Sequence, residues 1–142
     1  MSTRRHYNVR MNDSAESVAR AFVAAINRQD VDELAALMTP EHRFVDSLGN
    51  VVEGREKMRA GWAGYFKMVP DYRIAVNECI CDGQVVVLFG IAEGTYAREG
   101  KVTAEERWST PVALRAIVTD ELVAEWRVYA DNEPLRQQMR KG

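Results

Sequence analysis

Carboxylates, thiols and indole N–H groups are the side chains here that can move a proton, hold an ion or orient a polar ligand. Asp46 closes a short strand in front of a Gly49-Asn50 turn, where aspartate caps or turns the backbone. The same carboxylate facing an aromatic cavity would have its pKa raised above the ~3.9 of a free side chain, closer to the pH at which a base works best. Glu93 and Glu106 fall in strand patterns and read as exposed, and burial of either would make it a tuned acid. Cys79 and Cys81, the two cysteines, are two apart on a strand and so share a side, but stand too close in sequence for a relaxed disulfide. As metal ligands they need partners, and His6 and His42 offer no recognisable spacing, so no metal site is expected. His42, beside Glu41, reads as surface, and no nucleophile–His–Asp arrangement is legible. Without a glycine-rich phosphate loop, no cofactor is expected either.

The elements that must position these groups begin with DELVAEWRVYAD, Asp120 to Asp131, and the run it folds back upon, Glu106 to Thr119. Thr119-Asp120 reads as a tight hairpin turn. Alternation sets Leu122, Ala124, Trp126, Val128 and Ala130 on one face and Glu125, Arg127, Tyr129 and Asp131 on the other. The first set can line an interior in which the Trp126 indole N–H is the polar handle.

Earlier in the chain, Asp13 with Glu16 makes a capping box that opens a helix to about Gln29. Its stripe is Ala15, Val18, Ala19, Phe22, Val23 and Ile26. A second box, Asp30 with Glu33, starts a short helix with Leu34, Leu37 and Met38 facing inward, ended by Thr39-Pro40. His42 to Ser47 reads as a strand containing Phe44. A third helix, about Gly54 to Met68, carries Met58, Trp62, Tyr65 and Phe66 on one face, with Gly61 and Gly64 permitting close backbone packing. Tyr72 to Ile80, Gln84 to Tyr96 and Lys101 to Val118 are strands, and Pro111 calls for an edge or a bulge. A short helical turn follows Glu133-Pro134. Helices followed by strands predict an α+β domain over 13–142, with a flexible tail over 1–12.

The 142 residues suit one domain, and 46% hydrophobic with 28% charged residues is ordinary for a globular chain. A net charge of −2 excludes the basic excess of a nucleic-acid binder. No apolar run approaches the ~20 residues of a membrane span, and no signal-peptide core follows the basic start, so a cytoplasmic location is the default.

The phrases FVAAINRQDVDELAALM, GREKMRAGWAGYF and AEWRVYADNEPLR resemble the nuclear transport factor 2-like superfamily, and within it the SnoaL-like branch. The resemblance covers nearly the whole chain from Asp13 onward. It implies a cystatin-like α+β roll: a curved antiparallel or mixed sheet packed on three helices around a cone-shaped cavity. Activity is not implied, because relatives of one shape include cyclases, isomerases, epoxide hydrolases and non-catalytic binders. The FVDSLG run is similar to the place where ketosteroid isomerases carry their general-base aspartate, which makes Asp46 the analogue. Their oxyanion donors align with Phe22 and a residue near Val112, which cannot donate, and each lost donor costs on the order of 3 kcal/mol. WRVY resembles the run in which limonene epoxide hydrolases carry a water-activating aspartate; here that position is Val128. SnoaL-like cyclases use a cavity carboxylate to abstract an acidic carbon proton, a part open to Asp46, Glu78, Glu93 or Glu106.

The resulting expectation is cofactor-independent acid–base chemistry on a small apolar or polyketide-like molecule, with Asp46 taking or relaying the proton. Trp62, Tyr65, Phe66, Tyr72, Phe89, Trp108 and Trp126 are expected to shape the cavity. A non-catalytic ligand-binding module and a dimerising interaction domain are the alternatives. Ser109, Pro111, Ala113, Ile117, Arg127 and Tyr129 form the opposite sheet face, flat enough to pair across a two-fold axis as a homodimer.

Overall fold

The computed structural model describes the backbone of residues 3–141 and the side chains of residues 14–141. Helix α1 (Thr3–Arg28) buries Ala15, Ala19, Phe22, Val23 and Ile26, with Val18 half-buried against the same core. The helix therefore begins at Thr3, ten residues before the start expected at Asp13, while the side chains of the capping box at Asp13 and of the tail over 1–12 fall outside the described ones. Gln29, at φ 58, ends the helix, and Asp30 caps α2 (Val31–Ala36) by accepting from Glu33 N–H at 3.0 Å. That helix stops earlier than Thr39-Pro40. The N–H of Val123 donates to Leu37 C=O at 2.7 Å, and Met38 pairs with Val123, so Met38, Thr39 and Pro40 open strand β1 (Met38–Val45). Strand β2 (Val51–Glu53) returns antiparallel to it, a short strand with no signal of its own in the sequence reading.

Helix α3 (Arg55–Met68) carries Met58, Trp62 and Phe66 buried and stops short of Pro70. Strands β3 (Arg73–Asp82), β4 (Val85–Thr95), β5 (Arg107–Thr119) and β6 (Leu122–Ala130) then form an antiparallel meander. The open six-stranded sheet has the order β2-β1-β6-β5-β4-β3, and β1 joins β6 in parallel, which makes it mixed. Helix α4 (Glu133–Arg140) closes the chain with Leu135 buried. The fold is therefore α+β, as expected, with four α-helices among the described residues where the resemblance implied three.

Two register shifts decide which side chains face the helices. Between Ile117 and Val118 the pairing steps from Glu125 to Val123, leaving Ala124 as an extra residue. Val123 and Trp126 are therefore both fully buried, while Leu122 and Ala124 are only half-buried. The hairpin turn is Asp120-Glu121, at φ 52 and 64, one residue later than expected and with both central residues left-handed as in a type I′ turn. The second shift, between Val76 and Glu78, lies where a Cβ on Gly90 would meet Ala75 C=O at 2.0 Å, so only glycine admits this approach of β4 to β3. Pro111 lies just beyond the β5–β6 pairing, which ends at Val112↔Ala130, so its missing N–H breaks no bond to β6. Gly64, by contrast, has open space around it and permits no close packing.

Asn27 fixes α1 to the edge strand: its side-chain N–H₂ donates to Ile74 C=O at 2.9 Å and its carbonyl accepts from Ile74 N–H at 2.8 Å. Both outward-facing backbone groups of that edge position are thereby satisfied. Beneath α3 the rings form a connected cluster, with Phe22 to Trp126 at 4.5 Å, Trp62 to Phe66 at 5.5 Å and Phe44 to Trp62 at 6.1 Å between centroids. Each such pair contributes roughly 0.5–1.5 kcal/mol beyond area burial, so this cluster is a rigid base on which a cavity can stand.

Candidate functional site

A cavity of about 330 Å³ lies between α3 and the β1–β6 end of the sheet. Helix α3 supplies Met58, Gly61, Trp62 and Tyr65, spaced so that one face lines it. Phe44 comes from β1, Val52 from β2, Trp126 and Val128 from β6, and Tyr72 from just before β3. The polar positions are Asp46 after β1 and Asn132 ahead of α4. Asn132 Nδ2 donates to Ser47 Oγ at 2.6 Å, tying the start of α4 to the loop that carries Asp46.

Five of the predicted residues line this cavity: Asp46, Trp62, Tyr65, Tyr72 and Trp126. Phe66 and Trp108 are buried behind it, Phe66 against Trp62 and Trp108 against Tyr72 at 6.0 Å. Phe89 lies elsewhere. On β4 the even-numbered Val86, Leu88 and Ala92 face the core, so Phe89 projects from the opposite face of the sheet, half-buried beside Ala113. Local alternation could not decide this, because β4 is apolar on both faces.

Asp46 is held by its own turn. Oδ1 accepts from the N–H groups of Leu48 and Asn50, both at 2.9 Å, and Oδ2 accepts from Asn50 Nδ2 at 3.1 Å. Partial burial pushes the carboxyl up, but the hydrogen bonds from Asn50 and Leu48 outweigh it and hold the group below its usual 3.8. The raised pKa expected of a working base is therefore corrected to a lowered one. Glu78, Glu93 and Glu106 do not line the cavity: Glu78 is exposed opposite Phe89, Glu93 pairs with Arg107 at 3.0 Å, and Glu106 takes two bonds from Arg98 at 3.0 and 3.2 Å. The Arg98 guanidinium holds the Glu106 carboxyl below the usual range. Asp46 is thus the cavity's carboxylate among the described residues.

Donors accompany this carboxylate. Nε1 of Trp62 and Trp126, and of Trp108 behind the cavity, is buried with no acceptor from the protein. Burial raises the phenol pKa of Tyr65, with a further contribution from neighbouring Tyr72, and burial alone raises that of Tyr72. Both phenols therefore stay protonated and can donate. At the two carried-over donor positions, Phe22 and Val112 are buried and apolar. Val128 does line the cavity, where it can supply only shape.

His42, expected at the surface, is instead fully buried, 6.0 Å from the Phe22 ring, with Nδ1 donating to Val123 C=O at 2.7 Å and Nε2 unpartnered. Burial lowers its pKa from 6.5, against smaller opposing effects of Val123 C=O and Glu125. The signal was available: His42 is two residues before Phe44 and so shares its face of β1.

A family model for the SnoaL-like domain matches residues 19–138. The chain belongs to the SnoaL-like domain family. No curated protein matches it, but solved structures share its fold. A candidate SnoaL-like polyketide cyclase from Jannaschia sp. CCS1 is 19% identical, with 93% of this chain and 95% of that one covered at a TM-score of 0.80. An LEH-like epoxide hydrolase from M. tuberculosis is 16% identical over 92% of both chains, with a TM-score of 0.75. A hypothetical protein with a ketosteroid isomerase-like fold from Catenulispora acidiphila, in complex with trimethylamine, is 18% identical over 85% of this chain and 90% of that one, at 0.74. At these identities the likeness establishes the nuclear transport factor 2-like fold of this SnoaL-like domain and leaves its chemistry to its own residues. Among the described residues, no helix is long and apolar enough to cross a membrane.

Proposed function

We propose that this SnoaL-like domain binds a small, largely apolar molecule carrying at least one hydrogen-bond acceptor, such as a carbonyl of a polyketide-like compound. One observation carries the reading. The cavity is walled by aromatic and aliphatic groups, and two of its walls, Trp62 and Trp126, have buried indole N–H groups that no protein acceptor satisfies. A ligand acceptor that reaches either group would supply the missing partner. Its volume, near the small end of the ~300–1,000 Å³ of typical ligand sites, suits a compact molecule. The trimethylamine held by the Catenulispora relative supports a small occupant. Native mass spectrometry of the purified protein, together with tryptophan-fluorescence titration by small aromatic ketones, tests this. Saturable quenching is expected; its absence across the panel, with no retained molecule, defeats the proposal.

Asp46 favours a second reading, acid–base catalysis in the same cavity. Its depressed pKa makes it a weak base, matched only to strongly acidified carbon acids, with Tyr65 and Tyr72 as neutral donors to the enolate. Turnover of a 1,3-dicarbonyl compound that disappears in Asp46→Asn would favour this reading over binding alone.

The uncovered sheet face supports a homodimer. Ile91 (42% exposed), Tyr129 (47% exposed), Pro111 and half-buried Phe89 surround an apolar centre, rimmed by the Arg115–Glu125 and Arg107–Glu93 pairs at 3.0 Å. The rim has both charge signs, as a self-complementary patch requires. Light scattering showing a monomer at micromolar concentration would refute it.

A further inference from the structure

The two cysteines lack a third ligand in sequence, and the fold brings them one. The register shift between Val76 and Glu78 reverses the facing of β3, so that Cys79 and Cys81 turn toward α1. There they meet Glu16, 65 residues from Cys81 in the chain. The two Sγ atoms are 3.9 Å apart, and Cys81 Sγ is 3.8 Å from Glu16 Oε1. One ligand atom from each of the three residues lies within 4.8 Å of the others.

We infer that Glu16, Cys79 and Cys81 bind one thiophilic divalent ion of the zinc class, with water in the fourth position. The donor spacing carries the inference. Zinc–sulfur bonds of ~2.3 Å and a zinc–oxygen bond of ~2.0 Å at tetrahedral angles set the sulfurs ~3.8 Å apart and a sulfur and an oxygen ~3.5 Å apart. The observed 3.9 and 3.8 Å lie within a few tenths of an ångström of these spans, and the third pair, Cys79 with Glu16, lies within 4.8 Å, so the ion needs at most a side-chain adjustment to draw that pair in. A disulfide would instead draw the sulfurs together to ~2.05 Å.

The surroundings fit the same occupant. Arg20 Nε donates to Glu16 Oε2 at 2.7 Å, which orients the carboxylate and leaves Oε1 directed at Cys81. Two thiolates and one carboxylate against a divalent ion leave one negative charge, which Arg20 balances. All three ligands are half-buried, so an ion can enter from solvent. Two sulfurs select zinc, cadmium or cobalt over magnesium and calcium, which prefer oxygen.

Cobalt(II) titration of the reduced full chain tests the site by absorption. Expected are one equivalent bound, thiolate-to-cobalt charge-transfer bands in the near ultraviolet, and the intense visible bands of tetrahedral cobalt, all displaced by zinc. Cys79→Ser with Cys81→Ser should abolish the charge-transfer bands, and Glu16→Gln should weaken binding at least tenfold. Circular dichroism of each metal-free variant shows whether it folds, and Glu16→Gln, a substitution at a partly exposed helix position, still tests the ligand set if the serine variant does not. Absent charge-transfer bands, weak octahedral spectra, or bands surviving the double serine substitution would overturn the site. Unchanged affinity in Glu16→Gln would overturn the three-ligand assignment.

Discussion

Replacing Asp46 with asparagine separates a turn residue from a desolvated base. The wild-type carboxylate accepts three hydrogen bonds, two from backbone N–H groups and one from Asn50 Nδ2. Asparagine supports the same turn and keeps the two backbone bonds. They become neutral, however, and its amide N–H₂ then faces that of Asn50. Bonds to charged groups contribute roughly 1.5–3 kcal/mol and neutral ones roughly 0.5–1.5, and partial exposure takes the difference to its low end. Asp46→Asn should therefore cost about 0.5–1 kcal/mol, and Asp46→Ala, which loses all three bonds, about 1–2 kcal/mol. The pH dependence has a definite sign. With the folded pKa below 3.8, the unfolded chain takes up the proton first as pH falls. The contribution of Asp46 is thus fully present above 3.8 and is lost as pH falls through the lower folded value. Urea titrations of the three proteins from neutral pH into the acid range measure it, and the gap between wild type and Asp46→Asn should close in acid. An Asp46→Asn protein as stable as wild type, or more stable, at neutral pH would refute the reasoning. It would mean that the cavity holds the carboxylate against its own preference.

His42 should make the fold acid-sensitive in a higher window. Its folded pKa lies below 6.5, so its contribution is present above that value and is lost as pH falls from it toward the folded pKa; His42→Gln, which keeps a donor for Val123 C=O, should flatten thermal melts there. Wild-type melts independent of pH across that window would count against the buried neutral imidazole. Gly64→Ala should raise stability by about 0.5–1 kcal/mol because nothing crowds the new methyl group, whereas Gly90→Ala should cost about 3 kcal/mol or prevent folding, both read by calorimetry. Trp62→Phe keeps a ring and removes the unpartnered N–H, so a ketone ligand should bind about fivefold to tenfold more weakly while its hydrocarbon analogue loses less; equal losses would remove Trp62 as a donor.

The sequence by itself determined the family and most of the helices and strands, though not β2 or the start of β1. Asp30 caps α2 as its spacing to Glu33 predicts, the α1 stripe is buried, and α3 runs within one residue of its expected limits with its aromatic face inward. These features are local: a cap, a 3.6-residue period and a proline each act within a turn or two of chain. Within the cavity, Asp46, Trp62, Tyr65, Tyr72 and Trp126 were legible for the same reason. Tertiary structure decided what alternation leaves ambiguous. Phe89 lies in a run apolar on both faces, and only the helices covering one of them turn it outward. A bulge adds one residue and reverses the phase beyond it, which buries Val123 and turns Cys79 and Cys81 toward Glu16. His42 is buried because β1 runs parallel to β6 over Phe22, a pairing between segments 81 residues apart. The protonation of Asp46 follows from three hydrogen bonds whose lengths and directions exist only once the 46–50 turn has closed.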